Sequence, residues 1–266
     1  MTRNRQRASA PVPEQRQGST WVLDLDGVVW LTGEPIRGAG PAVERLRRSG
    51  VRVLFATNNS SPTTAEVVAR LERCGVGTTA DDVVNSAQAA ATLVDPGSSV
   101  LTLADDGVAE ALTARGVRVV DDGPADAVIV GWTRRFDFDR LARATTAVLD
   151  GARLIGTNAD PTLPTPAGPL PGAGSLLAAV STATGVEPQV AGKPHQPLAQ
   201  LITDRVGEVA VVVGDRTTTD GLLARRLRAP FALVLSGVTR PEAPLPDPLP
   251  DFLADDLAAL VPDGSS

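Results

Sequence analysis

The chain is predicted to be an α/β protein built on a doubly wound parallel sheet, and three observations predict it. Two apolar runs, Trp21-Val22-Leu23 and Val209 to Val213, lead into aspartates at Asp24, Asp26 and Asp215; apolar runs of this kind suit strands buried on both faces. Strand-like and helix-like segments alternate along most of the chain, starting with a βαβα unit. Polar clusters fall at the ends of the predicted strands, which is where open parallel sheets bind ligands.

Each element follows from its own residues. After the first strand, a helical stretch fits Gly40 to Ser49, and Val51-Arg52-Val53-Leu54-Phe55-Ala56 reads as a second strand. It runs into Thr57-Asn58-Asn59-Ser60-Ser61, where Ser61-Pro62 reads as N-cap and first position of a helix that stops at Gly75. The same rhythm then continues as a separate block. Strands fit Ser99–Leu103, Val117–Val120, Ala127–Val130 and Arg153–Gly156, with helices over Gly107–Arg115 and Asp139–Leu149. The stretch from Asn158 to Pro166 is rich in proline and predicts an irregular loop, followed by a helix over Gly174–Thr184. The last third returns to the first pattern. A strand over Val209–Val213 is followed by a helix over Thr218–Leu227, a strand over Phe231–Leu235 and a short helix over Phe252–Leu260. The expected boundaries are a disordered tail over 1–18, a core domain made of 19–85 and 186–266, and an inserted domain over 86–185.

Composition narrows the function classes. With 266 residues, 42% of them hydrophobic, the chain buries a substantial core. Its formal net charge of −6 repels a nucleic-acid backbone, and its arginines cluster only near the N-terminus. A single cysteine, Cys74, excludes an internal disulfide and a multi-cysteine zinc site; a single histidine, His195, excludes a two-histidine metal site. No segment reaches the ~18 consecutive apolar residues of a membrane span, and the first eighteen residues lack a secretory apolar region. A cytoplasmic protein with no nucleic-acid or membrane partner is expected.

The acids define candidate chemistry. Asp24 and Asp26, two residues apart at a strand end, leave on the same face, and two carboxylates that close need a cation or a shared proton. Asp215 ends another strand, and hard oxygen ligands of this type suit Mg²⁺. A carboxylate there can attack phosphorus and form an aspartyl-phosphate, while its neighbour works as acid to the leaving alcohol and base to water. A plain turn after a strand would also read Asp-Leu-Asp-Gly. Thr57, Asn58 and Asn59 offer a hydroxyl, amides and backbone N–H groups suited to phosphate oxygens, though a polar turn has the same composition. Lys193, between Gly192 and Pro194, offers one ammonium for charge neutralisation; solvated lysines are far commoner. Asp220, five residues after Asp215, is a ligand candidate or a helix cap.

Taken in order, Asp24-Leu25-Asp26-Gly27-Val28, Thr57-Asn58-Asn59-Ser60, Gly192-Lys193-Pro194 and Gly214-Asp215-Arg216…Thr219-Asp220 resemble the haloacid dehalogenase-like (HAD) superfamily. Thr157-Asn158-Ala159-Asp160 and Pro171-Gly172-Ala173-Gly174 are similar to its NagD-like, p-nitrophenylphosphatase branch. The resemblance implies a Rossmann-like HAD core with an inserted α/β cap domain of the C2 type, Mg²⁺ as cofactor and a small phosphorylated metabolite as substrate. Glycerol 3-phosphate or a related sugar or polyol phosphate is the implied substrate, and a homodimer is an expected assembly. It implies Asp24 as nucleophile and metal ligand, and Asp26 as acid/base giving its backbone carbonyl to the metal. Thr57, Asn58, Asn59 and Lys193 are then phosphoryl-binding, with Asp215 and Asp220 on the metal side. Thr217 and Gly221 depart from the family pattern, as does the lack of a glycine around Leu227–Ala229. Trp132–Arg135 and the loop from Asn158 to Pro171 are candidates for substrate discrimination, with Arg134 or Arg135 meeting a second anionic group. A receiver-type phosphoacceptor domain and a non-catalytic binding protein on the same fold are the alternatives.

Overall fold

A computed structural model describes residues 13–262 apart from 32, 166, 241 and 243. The expected disordered tail over 1–18 therefore falls largely outside the described residues; within 13–18, Gly18 donates its N–H to the Gly50 carbonyl at 2.8 Å. In chain order the elements are β1 (Thr20–Leu23), β2 (Trp30–Leu31), β3 (Glu34–Pro35), α1 (Ala39–Arg48), β4 (Arg52–Thr57), α2 (Thr64–Arg73), a 3₁₀ turn (Ala80–Asp82), β5 (Val83–Asn85) and α3 (Ser86–Ala91). Next come β6 (Ser99–Leu103), α4 (Asp106–Ala114), β7 (Arg118–Val120), β8 (Ala127–Val130), α5 (Phe138–Leu149), β9 (Arg153–Gly156), β10 (Thr162–Leu163), β11 (Leu170–Pro171) and α6 (Ala173–Thr184). The remainder is β12 (Gln189–Val190), α7 (Gln196–Val206), β13 (Val211–Gly214), a π-helical turn (Thr217–Gly221), α8 (Leu222–Leu227), β14 (Phe231–Val234), β15 (Phe252–Ala254) and α9 (Leu257–Leu260).

The fold is α/β with parallel sheets, as the alternation predicts. It comprises two compact units: one made of the described residues up to Leu54, Cys74–Val76 and those from Glu208 on, the other of Phe55–Arg73 and Gly77–Gly207. Among the described residues no helix is long and apolar enough to cross a membrane.

In the first unit the strand order is β15-β14-β13-β1-β4. The β1–β13, β13–β14 and β14–β15 pairs are parallel, with Trp21 beside Val211, Val212 beside Phe231 and Ala232 beside Phe252. Trp21, Leu23, Val213, Phe231 and Leu233 are all buried; strands covered on both faces explain why these runs carry no polar alternation. The register ends β1 and β13 level, since the Asp24 N–H donates to the Val213 carbonyl at 2.9 Å. Asp24 and Asp215 are thus delivered to the same sheet edge.

Two expectations in this unit need correction. The helix expected over Phe252–Leu260 is an edge strand followed by one helical turn, because Phe252-Leu253-Ala254 pairs with β14 and Asp256 caps α9, its side chain accepting from Ala259 N. Likewise the helix expected from Thr218 opens with a π turn, in which the Gly221 N–H reaches the Arg216 carbonyl at 3.2 Å. Three successive β-branched threonines disfavour a regular first turn. The glycine missing near Leu227–Ala229 has a visible cost: Arg228 ends α8 in the left-handed region at φ 56. Exposed Arg228→Gly is expected to raise stability by about 1 kcal/mol, which thermal unfolding would register as an upward shift.

The second unit contains a five-stranded sheet of order β12-β9-β8-β6-β7 with every pair parallel. Leu103, Val128, Val130 and Leu154 pack there with Ala144 and Val148 of α5 and Leu177 and Val180 of α6. The 144/147/148 spacing is the inward stripe of an amphipathic helix, and the Asp137 side chain caps its start by accepting from Arg140 N. The C-terminal half of β4 pairs in parallel with β5, setting Thr57 beside Asn85. Here too the structure corrects details. Helix α2 starts at Thr64, because Thr63 and Glu66 exchange hydrogen bonds across the first turn, so Ser61 and Pro62 stand outside it. The proline-rich stretch from Asn158 to Pro166, expected to be wholly irregular, contains β10, which pairs antiparallel with β11 just beyond it. Helices α3 and α7 and strand β5 were not anticipated.

Candidate active site

In the first unit the acids converge. One carboxylate oxygen from each of Asp24, Asp215 and Asp220 lies within 4.8 Å of the other two, and Asp215 and Asp220 are buried. Three like charges so near one another, two of them shielded from water, require a compensating cation or proton. Each is held by its own local structure. Asp24 Oδ1 accepts from the Leu25 N–H at 2.7 Å. Asp215 Oδ2 accepts from the Val238 N–H at 2.6 Å, and the Thr239 hydroxyl donates to the Asp215 carbonyl. Asp220 Oδ2 accepts from the Arg216 N–H at 3.2 Å, the bond that closes the π turn on itself.

Glycines make room for this packing. A Cβ on Gly27 would sit 2.6 Å from Asp215 Oδ2, and Gly27 has φ +87, which disfavours any side chain there twice over. A Cβ on Gly214 would overlap the Asp220 carboxylate, and one on Gly237 the Asp215 carboxylate. The Gly27 carbonyl also accepts from the Ser236 hydroxyl at 2.6 Å. The loop Ser236-Gly237-Val238 therefore belongs to the acidic site, and sequence reasoning passed over it; its signal was a Ser-Gly pair one residue beyond strand β14.

Asp26 stands apart from the three converging carboxylates. Its side chain is exposed, and Oδ1 accepts from the Trp30 indole N–H at 2.9 Å. Trp30 also forms a bridge with Asp26 through the backbone. The indole fixes the orientation of the Asp26 carboxylate outside that cluster.

The second unit gathers the other predicted residues around Asn58. Asn58 Oδ1 accepts from the Lys193 N–H at 2.7 Å, and Asn58 Nδ2 donates to the Lys193 carbonyl and to Asp160 Oδ2, each at 3.1 Å. The Asn58 carbonyl accepts from the Ser86 hydroxyl at 2.6 Å and from Asn158 Nδ2 at 2.8 Å. One asparagine thereby knits β4 to segments about a hundred residues away. Lys193 is only 4% exposed, with Nζ 3.2 Å from the Ala56 carbonyl; it is not the solvated lysine its residue type suggests. Thr57 is 2% exposed, and its hydroxyl accepts from the Asn59 N–H at 3.0 Å. Asn59 Oδ1 in turn accepts from the Ser61 N–H at 3.1 Å. His195 occupies the N-cap position of α7, its backbone N–H on the Gly192 carbonyl.

Arg135, offered by the sequence for a second anionic group, is engaged elsewhere. Nη2 lies 2.8 Å from Asp106 Oδ1 and 3.2 Å from Asp105 Oδ1, and the hydrogen bond and charge of Asp106, then those of Asp105, raise the guanidinium pKa above its ordinary value. Arg134 is exposed.

Comparisons with known proteins agree with this geometry. A family model described as haloacid dehalogenase-like hydrolase matches residues 21–118, and a HAD-hydrolase-like model matches 190–260. The chain is 40% identical over 256 residues to D-glycerol 3-phosphate phosphatase of Mycobacterium tuberculosis, covering 91% of this chain and 70% of that protein. The structure of a glycerol phosphate phosphatase from the same organism, in complex with magnesium, superposes with a TM-score of 0.84 at 38% identity, over 92% of this chain and 77% of that one. A p-nitrophenyl phosphatase from Archaeoglobus fulgidus gives a TM-score of 0.84 at 29% identity, over 92% and 98%. These relatives set aside the receiver-type and non-catalytic alternatives. The chain belongs to the haloacid dehalogenase-like hydrolases and is a phosphatase of their p-nitrophenylphosphatase, or NagD-like, branch.

Proposed function

We propose that this phosphatase is magnesium-dependent, hydrolyses monoesters of small polyols or sugars such as glycerol 3-phosphate, and works through an aspartyl-phosphate on Asp24. The observation that carries the reading is the convergence of Asp24, Asp215 and Asp220. Three hard oxygens on fixed, largely desolvated carboxylates fit Mg²⁺ better than a softer metal. When bound, the ion neutralises the carboxylates and the phosphate oxygens and lets one anion approach another.

The chain's own residues then divide the work. The Asp24 carboxylate attacks phosphorus, and the bond from phosphorus to the ester oxygen breaks. Asp26, oriented by Trp30, gives its proton to the departing alcohol. Ionised Asp26 next takes a proton from water as that water attacks the phosphorus of the acyl phosphate, so inorganic phosphate leaves and the Asp24 carboxylate is restored. The Asp26 backbone carbonyl would also help to hold the ion. Thr57, Asn58, Asn59 and Lys193 hold the phosphoryl group, Lys193 with a charge that its burial leaves unscreened. Asp215 and Asp220 are metal ligands, Asp220 also closing the loop that follows β13. Residues 86–185 act as the substrate-selecting insert, with 19–85 and 186–266 as the catalytic core.

The test is phosphate release from a set of small phosphate esters. Turnover is expected with glycerol 3-phosphate in Mg²⁺, falling to background with excess EDTA and returning when Mg²⁺ is restored. Undiminished phosphate release in the chelated protein would refute the metal assignment.

A further inference from the structure

Resting on that reading, we propose that Ser86 is a positioning residue: through one peptide plane it sets the Thr57 hydroxyl as a hydrogen-bond donor to the phosphoryl group. The observation that carries it is the peptide joining Asn58 to Asn59, which is bonded on both edges. Its carbonyl accepts from the Ser86 hydroxyl at 2.6 Å and from Asn158 Nδ2 at 2.8 Å, and its N–H, on Asn59, donates to Thr57 Oγ1 at 3.0 Å.

A trans peptide is flat and stiff, with its C=O and N–H on opposite edges, so fixing the carbonyl fixes the direction of the N–H. Ser86 and Asn158 fill both acceptor positions of that carbonyl. Turning the plane would break both bonds and strand the Ser86 hydroxyl, which is fully buried. The consequence falls on Thr57. Its oxygen receives the Asn59 N–H, so its single proton points away from that bond, and among the described residues that proton meets no acceptor. A threonine hydroxyl can ordinarily swivel between donating and accepting. Here one choice is taken, and a hydroxyl that is 2% exposed is left as a committed donor. Phosphoryl oxygens only accept, so a donor aimed beforehand spares reorganisation during the reaction.

Local structure frees Ser86 for this task. It opens α3 directly after β5, whose last residue, Asn85, lies beside Thr57 in the parallel ladder. An Asn-Ser pair at a helix start offers two possible caps. Asn85 takes that role, its side chain accepting from the Gln88 N–H at 2.8 Å while Gln88 Oε1 accepts from the Asn85 N–H at 3.3 Å. The Ser86 hydroxyl is left to bond a carbonyl 28 residues away. Gly192 closes the other side: a Cβ there would lie 2.5 Å from Asn58 Oδ1 and 3.0 Å from Ser86 Cβ. None of the polar clusters read from the sequence includes Ser86, because its partner is set by the pairing of β4 with β5.

The experiment is a double-mutant cycle on hydrolysis of p-nitrophenyl phosphate by the full-length chain in Mg²⁺, using wild type, Ser86→Ala, Thr57→Val and the double variant. Thr57→Val keeps the side-chain shape without the hydroxyl and is expected to lower kcat/KM by about 10²-fold. Ser86→Ala is expected to lower it by about tenfold. The double variant should stay within twofold of Thr57→Val, because Ser86 acts only through the hydroxyl already removed. The Ki of inorganic phosphate should rise about fivefold in Ser86→Ala; a partly unfolded population would lower kcat and leave Ki where it was. Thr92→Ala removes a hydroxyl from the far end of α3, where it donates to the Ala89 carbonyl at 2.7 Å, and should remain within twofold of wild type. If thermal unfolding shows that Ser86→Ala folds poorly, Asn158→Ala withdraws the other donor from the same carbonyl and takes its place in the cycle. Losses that multiply in the double variant, an unchanged Ki, wild-type activity in Ser86→Ala or an equal loss in Thr92→Ala each overturn the proposal and leave the phosphatase reading intact. A wild type that releases no phosphate, or full activity in Thr57→Val, would instead sink the phosphoryl-binding assignment, and this inference with it.

Discussion

Asp24→Asn is expected to lower phosphate release by about 10³-fold or more, the scale on which removal of a covalent nucleophile acts, while making the metal-stripped protein more stable. The two effects have opposite signs for one reason. Asparagine retains an Oδ1 that can accept from the Leu25 N–H, so the local hydrogen bond survives. It lacks the negative charge, so one of three mutually repelling carboxylates disappears. Relief of about 1 kcal/mol corresponds to a rise in melting temperature of about 2–4 °C for a chain of this length. Thermal unfolding in EDTA, run beside an activity assay in Mg²⁺, measures both. Wild-type turnover in the variant would remove Asp24 from the mechanism; a lower melting temperature in EDTA would mean that the acids do not repel as their spacing implies.

The acidic site was legible because its causes are local. A strand buried on both faces shows itself as an unbroken apolar run, and an acid directly after it needs no long-range information to be placed at the sheet edge. That holds for Trp21–Asp24 and for Val211–Asp215. What brings Asp220 back toward them is less legible: a π turn over Thr217–Gly221 that looks in sequence like the start of an ordinary helix. The Asn58 centre was only half visible. Thr57 and Asn58 stand out after β4, yet nothing in the order of residues says that Asn58 will meet Asp160 and Lys193 across 102 and 135 positions.

Helices α3 and α7 were missed for different physical reasons. Ser86–Ala91 is two-thirds alanine and lies against both α4 and α7, so no amphipathic stripe marks it. Its reciprocal cap between Asn85 and Gln88 was readable. Gln196–Val206 carried both of its punctuation marks, Pro197 in the first turn and Gly207 at the end. Those signals lost out to the Lys193-Pro194 turn just before them. In the case of Phe252–Ala254, leucine and alanine favour a helix intrinsically, but pairing with β14 satisfies one side of the backbone and half-buries the run at the edge of an existing sheet, so tertiary context overrides propensity.

Lys193→Met is expected to reduce kcat by about 10²- to 10³-fold, the cost of removing a preorganised charge from a desolvated site. The size follows from burial: at 4% exposure the ammonium is hardly screened by water, so a phosphoryl group held beside it, as proposed, would feel its charge far more strongly than that of a surface lysine. Methionine preserves most of the length and volume of the side chain, and the backbone bonds to Asn58 do not involve the ammonium. A loss confined to kcat would therefore report charge in the transition state, whereas a rise in KM alone would report ground-state binding. Lys193→Arg is not expected to rescue activity, because a planar guanidinium needs lateral room that a pocket closed to this degree does not have. Exposed Arg143→Gln, which removes the same charge from the surface of α5, serves as the comparison and should stay within twofold of wild type. If Lys193→Met and Arg143→Gln behaved alike, the buried ammonium would have no part in phosphoryl transfer, and the Asn58 centre would be architecture alone.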